Sequence, residues 1–281
     1  MSALNLKIKN EIREWNRPLV MGVLDVTPDS FYAGSRIVTE KTLFDSIDKI
    51  IDEKADIVDI GGMSTRPGAD IIDTEEEWKR VAPALKYISE NYPKTAVSVD
   101  TFRAEIARRA HEEFGADIIN DISGGGLDDK MIETVGKLNI GYIGMHMRGT
   151  PATMQQLTQY DNLMFDLSRY FGELTKKCKD AGIADIIIDP GIGFSKTVDQ
   201  NYHIINHLEI LQSLGYPILI GVSRKSFLYK FLEDKPENML NATTVMNTIS
   251  LLKGVNIIRV HDVKEAVETV KLVQKTFLSL I

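Results

Sequence analysis

Carboxylates directly follow apolar segments at two points of this chain. Asp100 comes after the run Ala96–Val99, and Asp189 ends the run Ile186–Asp189. A carboxylate in such a position is partly removed from water and requires donors to offset the cost of burial. A flat heterocycle with adjacent N–H donors supplies two parallel hydrogen bonds, and Lys225 in GVSRKSF could bind its ring carbonyl. A 2-amino-4-oxo pyrimidine ring has this pattern.

Structural roles are also open to these side chains. Asn120 ends a third apolar run, Ile118–Asn120, and would join the same group. Lys225 could instead form a plain salt bridge with one of the carboxylates. A polar residue at a strand end, such as Asp100, also commonly caps the following helix.

Two cations lie near the C-terminus, in the segment NIIRVHDVKEAV. Arg259 and His261 are two residues apart, so they point the same way from a strand, and a helix is expected to begin near Val263. Helix N-termini attract anions, and in barrels the region after the last two strands often binds phosphate. We therefore expect a phosphate site, with Ser64 and Thr65 of GGMSTRPG as further donors.

Covalent and zinc chemistry have little support in the sequence. Ser223 and Ser226 lack a GxSxG elbow, and the single cysteine, Cys178, lies in a polar helical segment. The histidines and the cysteine do not have the spacing of zinc ligands. Asp25 could bind a Mg²⁺ ion shared with phosphate oxygens.

The elements that position these residues alternate between strand and helix. Helical periodicity separates short apolar runs, as in Glu75–Asn91 and Val263–Leu278. The runs are Leu19–Val26, Ile57–Ile60, Ala96–Val99, Ile118–Asn120, Gly141–Met145, Ile186–Asp189, Ile218–Gly221 and Ile257–Val260. Eight such units favour a closed (β/α)8 TIM barrel over a doubly wound open sheet. We predict one domain over residues 1–281, with Met1–Arg17 as a leading segment that covers the barrel floor.

A barrel predicts where the polar residues gather. Ligands of these folds bind at the carboxyl ends of the strands, and each of the eight runs is followed there by a charged or hydrogen-bonding side chain. This regularity favours a binding site over a set of unrelated helix caps.

Composition narrows the class of protein. The 281 residues are 43% hydrophobic and 26% charged, with a net charge of -7, which argues against a general nucleic-acid surface. Apolar runs are too short for a membrane span, and the charged N-terminus does not resemble a secretion signal. With one cysteine, these features predict a cytoplasmic enzyme.

The chain resembles the dihydropteroate synthases, the sulfonamide-target transferases of folate biosynthesis. Ordered blocks carry the resemblance along nearly the whole chain: MGVLDVTPDSF, DIVDIGGMSTRPGA, SVDTF, IINDISGG, YIGMHMRGTP, IIIDPGIGFSKT, GVSRKSFL and IIRVHDV. The resemblance implies a TIM barrel, a homodimer and Mg²⁺ as cofactor. It also implies condensation of 6-hydroxymethyl-7,8-dihydropterin pyrophosphate with p-aminobenzoate, which releases pyrophosphate.

Site roles follow from the same blocks. The resemblance implies that Asp100, Asn120, Asp189 and Lys225 hold the pterin ring, that Arg259 and His261 hold the pyrophosphate, and that Asp25 binds the metal. Asp100, Lys225, Arg259 and His261 would be catalytic. The p-aminobenzoate pocket would be lined by Thr65, Arg66, Pro67, Phe194, Lys225 and Ser226.

The chain departs from the family pattern at two positions. Asp25 stands where the family usually has asparagine, and Met63 stands where it commonly has glutamate. A full negative charge binds Mg²⁺ better than an amide but repels pyrophosphate when the metal is absent, so we expect a steep Mg²⁺ requirement. Three alternatives to the synthase are a pterin-dependent corrinoid methyltransferase, a non-catalytic pterin-binding barrel damaged at Asp25, and a metal-dependent aldolase barrel.

Overall fold

The computed structural model describes residues 4–26, 36–63 and 72–278. Its strands are β1 (Leu4–Ile8), β2 (Glu11–Trp15), β3 (Leu19–Asp25), β4 (Ile57–Gly61), β5 (Ala96–Asp100), β6 (Ile118–Asp121), β7 (Gly141–Met145), β8 (Ile186–Asp189), β9 (Leu219–Ile220) and β10 (Ile257–Val260). Its α-helices are α1 (Arg36–Asp52), α2 (Thr74–Asn91), α3 (Ala104–Phe114), α4 (Met131–Leu138), α5 (Leu163–Asp180), α6 (Val198–Asn206), α7 (Leu208–Gln212), α8 (Ser226–Phe231), α9 (Leu240–Leu252) and α10 (Val263–Leu278). Short 3₁₀ turns occupy Met154–Gln156 and Pro236–Asn238.

The strands β3 to β10 form a closed parallel barrel. Their order in the sheet is β8-β7-β6-β5-β4-β3-β10-β9, and a parallel bridge between Ile188 and Ile218 joins the two ends. Helices connect successive strands, so the predicted TIM barrel is confirmed. Predicted strand bounds agree within about one residue, and β9 is the shortest strand.

A two-stranded hairpin closes the amino-terminal end of the barrel. Strands β1 and β2 pair antiparallel, and Leu4, Leu6 and Ile8 pack against the lowest inward-facing residues of the barrel. Backbone amides of the hairpin also donate to carboxylates of the barrel, as from Lys9 to Asp117 at 2.7 Å. The leading segment therefore contributes both apolar packing and hydrogen bonds to the floor.

The outer helices pack their apolar faces on the barrel. Residues that recur every three or four positions are buried, as in α2, where Trp78, Val81 and Leu85 face the strands. Cys178 of α5 is fully buried in this layer, where burial raises the pKa of its thiol to about 12. Within the described ranges, we find no helix with the length and apolarity needed to cross a membrane.

Candidate functional site

Alternate residues of each barrel strand point inward and build distinct layers. On β4, Ile57 lies in the apolar floor, and Asp59 lies above it. The layers nearest the carboxyl ends of the strands are polar and hold Asp59, Asp100, Asn120, Asp189 and Arg259. The predicted clustering of polar side chains at this end is therefore what the fold produces.

Arg259 lies between two carboxylates. Its Nε donates to Oδ2 of Asp59 at 2.6 Å, and its Nη2 donates to Oδ2 of Asp100 at 2.7 Å. Burial raises the pKa of the Asp100 carboxyl, and the nearby Arg259 cation opposes that rise. In the structure, Asp100 therefore pairs with Arg259. A plain salt bridge between Asp100 and Lys225, the alternative role for this lysine, is not formed.

The two remaining pterin-side candidates are buried in the same region. The side-chain amide of Asn120 donates to Oδ2 of Asp59 at 3.1 Å. Oδ1 of Asp189 accepts from the backbone N–H of Gly191 at 2.8 Å. Burial raises the pKa of Asp189, with Lys225 as the main opposing charge. A ligand with N–H donors would relieve this burial cost.

Lys225 reaches into the same space from the turn after β9. Its Nζ donates to the carbonyl of Ile192 at 2.6 Å and lies 4.8 Å from the centre of the Phe194 ring. Burial lowers the pKa of Lys225 to about 8, although the charge of Asp189 opposes the change. Within the described residues, no carboxylate forms an ion pair with Lys225, so its ammonium has capacity for a ligand acceptor.

The acidic and basic groups share one mouth. Gly221 lies between the two cations: a methyl group there would lie 3.6 Å from Nζ of Lys225 and 3.7 Å from Cβ of Arg259. One candidate for the heterocycle, Lys225, and one for the anion, Arg259, therefore lie close together.

Lys196, a buried residue that the sequence motifs did not indicate, holds the loop that contains Phe194. Nζ of Lys196 donates to the carbonyls of Phe194 and Gly191 at 2.9 and 3.1 Å, and lies 3.1 Å from Nδ1 of His146. Burial lowers the pKa of Lys196 to about 7 and that of His146 to about 2. These contacts join the loops after β7 and β8 and hold the chain on both sides of Ile192, whose carbonyl accepts from Lys225.

His261 and Asp25 lie at the rim of the mouth. Nδ1 of His261 is 3.0 Å from Oγ of Ser223, and its Nε2 is 3.9 Å from Oδ2 of Asp25. Both side chains are partly exposed, at 44% and 41% respectively. Ser226 begins α8 directly after Lys225.

Asp25 is compatible with a magnesium ion. Among the described residues, no set of three metal-ligating side chains comes together. Mg²⁺ commonly keeps several waters and takes one or two carboxylates together with substrate phosphates. A single half-exposed carboxylate near His261, a candidate for phosphate binding, fits this mode, and it does not fit a metal held by protein ligands alone.

Some predicted residues lie beyond the described ranges. Thr65, Arg66, Pro67 and the hydroxyl candidate Ser64 fall in 64–71, so their predicted p-aminobenzoate and phosphate roles stay predictions. Met63, just before that segment, packs with an apolar cluster near the mouth. The cluster contains Phe102, Ile122, Met145, Met147, Met154, Leu127 and Phe194.

Asp59 is the clearest site residue that the sequence motifs did not indicate. It is fully buried, and one of its oxygens holds both Arg259 and Asn120. A signal was present, because an aspartate inside the apolar run Ile57–Ile60 has to meet a buried cation or donor.

Similarity to known proteins covers nearly the whole chain. The family described as "Pterin binding enzyme" matches residues 21–261. A dihydropteroate synthase of Escherichia coli strain K12 is 38% identical over 266 residues, which cover 93% of this chain and 92% of that protein.

Solved structures agree with this match. The Yersinia pestis dihydropteroate synthase with a sulfonamide drug has a TM-score of 0.90 at 35% identity, over 97% of this chain and 99% of that one. The Xanthomonas albilineans dihydropteroate synthase with 4-aminobenzoic acid has a TM-score of 0.89 at 32% identity, over 98% of both chains. With its barrel and polar mouth, this chain belongs to the pterin binding enzyme family.

Proposed function

We propose that this chain is a dihydropteroate synthase that joins 6-hydroxymethyl-7,8-dihydropterin pyrophosphate to p-aminobenzoate. The relatives that align with most of the chain carry this name. The observation that carries the proposal is the shared mouth, in which Lys225 and Arg259 flank Gly221 and buried carboxylates surround them. The products would be 7,8-dihydropteroate and pyrophosphate.

The pterin ring would bind the buried polar layer. Asp189 would accept from adjacent ring N–H groups, and Lys225 would donate to the ring carbonyl. Asn120 and Asp100 would complete the ring contacts. This assignment is supported by the burial of the carboxylates, because a buried carboxylate gains most from a donor-rich ligand.

Arg259 and His261 would bind the diphosphate of the substrate. As the bond to the pterin methylene breaks, negative charge accumulates on the departing pyrophosphate, and positive charge develops on the pterin. The guanidinium of Arg259 would stabilise the first charge, and Asp100 would stabilise the second. Such preorganised contacts typically contribute on the order of 3 kcal/mol each to the transition state.

The amine of p-aminobenzoate would then capture the cationic carbon. Phe194 and the stem of Lys225 would form part of its pocket, with Ser226 close by at the start of α8. The structure of the X. albilineans relative with 4-aminobenzoic acid supports this second substrate. The roles of Thr65, Arg66 and Pro67 in this pocket are part of the same proposal.

Mg²⁺ would bind Asp25 and offset the charge of the diphosphate. Its chemistry there is that of a Lewis acid that neutralises phosphate oxygens. In its absence, Asp25 would repel the diphosphate. This cofactor assignment rests on the position of Asp25 beside His261.

Three further properties belong to the proposal. Sulfonamide sensitivity is suggested by the Y. pestis relative, which was solved with such a drug. A homodimer is supported by exposed apolar residues on one face of α9, Val245, Ile249 and Leu252, beside the exposed Leu272 of α10. A cytoplasmic location remains an inference from composition and the single cysteine.

Pyrophosphate release tests the reaction. Purified protein is incubated with the pterin pyrophosphate, with and without p-aminobenzoate, in Mg²⁺ buffer. We expect release that depends on p-aminobenzoate and yields dihydropteroate. Pterin binding without release would instead support the non-catalytic barrel, and methyl transfer to a corrinoid protein would support the methyltransferase.

A further inference from the structure

Asp59 occupies an unusual position for a charged residue. It lies in the middle of β4, between Ile57 and Gly61, and its side chain is fully buried. Within the described residues, Oδ1 of Asp59 has no hydrogen-bond partner. A buried carboxylate with one unpaired oxygen reduces stability, so packing alone does not account for it.

The partners of Asp59 lie on distant strands. Its Oδ2 accepts from Nε of Arg259 on β10 at 2.6 Å and from Nδ2 of Asn120 on β6 at 3.1 Å. Each of these strands is two positions away from β4 in the sheet, in opposite directions. The contacts therefore cross the barrel interior, and one oxygen atom joins three strands, β6, β4 and β10, that span five consecutive positions of the sheet.

Arg259 and Asn120 each keep polar atoms that Asp59 does not use. Nε of Arg259 is held by Asp59 and Nη2 by Asp100, whereas Nη1 has no hydrogen-bond partner among the described residues. One amide hydrogen of Asn120 is used by Asp59. The guanidinium and the amide are each anchored on one side and have donors or acceptors left for a ligand.

We propose that Asp59 is a positioning residue that sets Arg259 and Asn120 together, so that one carboxylate orients the anion-binding and heterocycle-binding sides of the site. The inference rests on the proposed function, because it takes pyrophosphate and a pterin as the ligands. It goes further by assigning the coupling of their two subsites to a residue that touches neither ligand.

Binding of the two halves of the pterin pyrophosphate substrate tests this assignment without catalysis. Isothermal titration calorimetry measures the affinity of pyrophosphate with Mg²⁺, and of 6-hydroxymethylpterin, for the full chain. In Asp59→Asn, which keeps the shape but removes the charge, we expect both affinities to fall by about tenfold or more, because charge-assisted anchors are lost. Arg259→Lys should weaken mainly pyrophosphate, and Asn120→Ala mainly the pterin.

A neighbouring buried residue supplies the matched control. Ser98 of β5 is the register partner of Asp59, is fully buried, and also has a side-chain oxygen without a partner in the described part of the chain. Ser98→Ala should leave both affinities within about twofold of wild type. If it weakens them as much as Asp59→Asn does, the effect belongs to the layer in general, and the proposal is wrong.

A double-mutant cycle separates positioning from a global effect. In an Arg259→Lys background, Asp59→Asn should cost less than about twofold in pyrophosphate affinity, since the group through which it acts is gone. Additive losses, or wild-type affinities in Asp59→Asn, overturn the proposal. Asp59→Thr serves if Asp59→Asn does not fold. A wild-type chain that binds neither ligand overturns the proposed function as well.

Discussion

The floor and the mouth of the barrel are built from the same strands and differ in nearly every physical respect. On β4 only one residue separates Ile57 of the floor from Asp59 of the polar layer. The centre of the floor is a cluster of apolar side chains, and the β1–β2 hairpin seals it. The mouth gathers several carboxylates with Arg259 and Lys225, and burial shifts the pKa of most of them.

The apolar floor mainly stabilises the fold, whereas the charged mouth mainly serves function. Burying an isoleucine stabilises the fold by about 1.5–3 kcal/mol, whereas burying a charge costs free energy unless a partner offsets it. The mouth keeps charged side chains that, under the proposed function, bind the substrates. We therefore expect substitutions in the mouth to change activity more than stability, and substitutions in the floor to do the reverse.

The largest expected effect is that of Lys225→Ala. Loss of the ammonium removes contacts to both substrates, so kcat/KM should fall on the order of 10²–10³-fold. The melting temperature should stay the same or rise, because burial disfavours the charged lysine. Steady-state kinetics and thermal melts check this prediction. Lys230→Ala, at an exposed lysine of α8, is the control. A large loss of stability in Lys225→Ala would contradict the expectation that the mouth serves activity more than stability.

Ile57→Ala is the matching test of the floor. The isoleucine is fully buried, and truncation leaves a cavity, so the free energy of unfolding should fall by about 2–5 kcal/mol. Activity of the remaining folded protein should stay within about twofold of wild type, because the floor does not reach the ligand. Urea unfolding followed by assay below the transition measures both. Ile12→Ala, at an isoleucine that is 80% exposed, should change neither.

Titration of Lys225 should change ligand affinity and protein stability in opposite directions. Its pKa is about 8 in the folded chain, so affinity for the pterin substrate should decline as the pH rises above about 8. Its contribution to stability has the opposite sign. Between pH 8 and the ordinary lysine pKa of 10.5 the unfolded state holds more protons, and stability from this group rises with pH. In Lys225→Gln the alkaline decline in affinity should disappear.

The smallest expected effect is at the rim, where Asp25 is partly exposed. Asp25→Asn should retain a few-fold larger share of its own maximal activity than the wild type when Mg²⁺ is limiting, because an amide does not repel the diphosphate when the metal is scarce. Activity measured across a Mg²⁺ titration decides the point. Equal activity of both proteins at limiting Mg²⁺ would show that the charge of Asp25 does not affect the Mg²⁺ requirement.

Much of the architecture follows from sequence patterns. The apolar runs and the helical periodicity between them determine the strands, their order along the chain and the closed barrel, because each buried strand needs apolar side chains on both faces. Asp100, Asn120, Asp189, Lys225, Arg259 and His261 lie at strand ends, and strand ends of a parallel barrel meet at one face. Their convergence on one mouth was therefore predictable.

Which of these residues contact one another was decided only by the tertiary structure. Spacing along the chain does not reveal that Asp100 pairs with Arg259 rather than with Lys225, since 159 residues separate the pair. For the same reason, the sequence does not reveal the partners of Asp59 and Lys196. Their partners lie on other strands and loops, and the fold alone brings them within hydrogen-bonding distance.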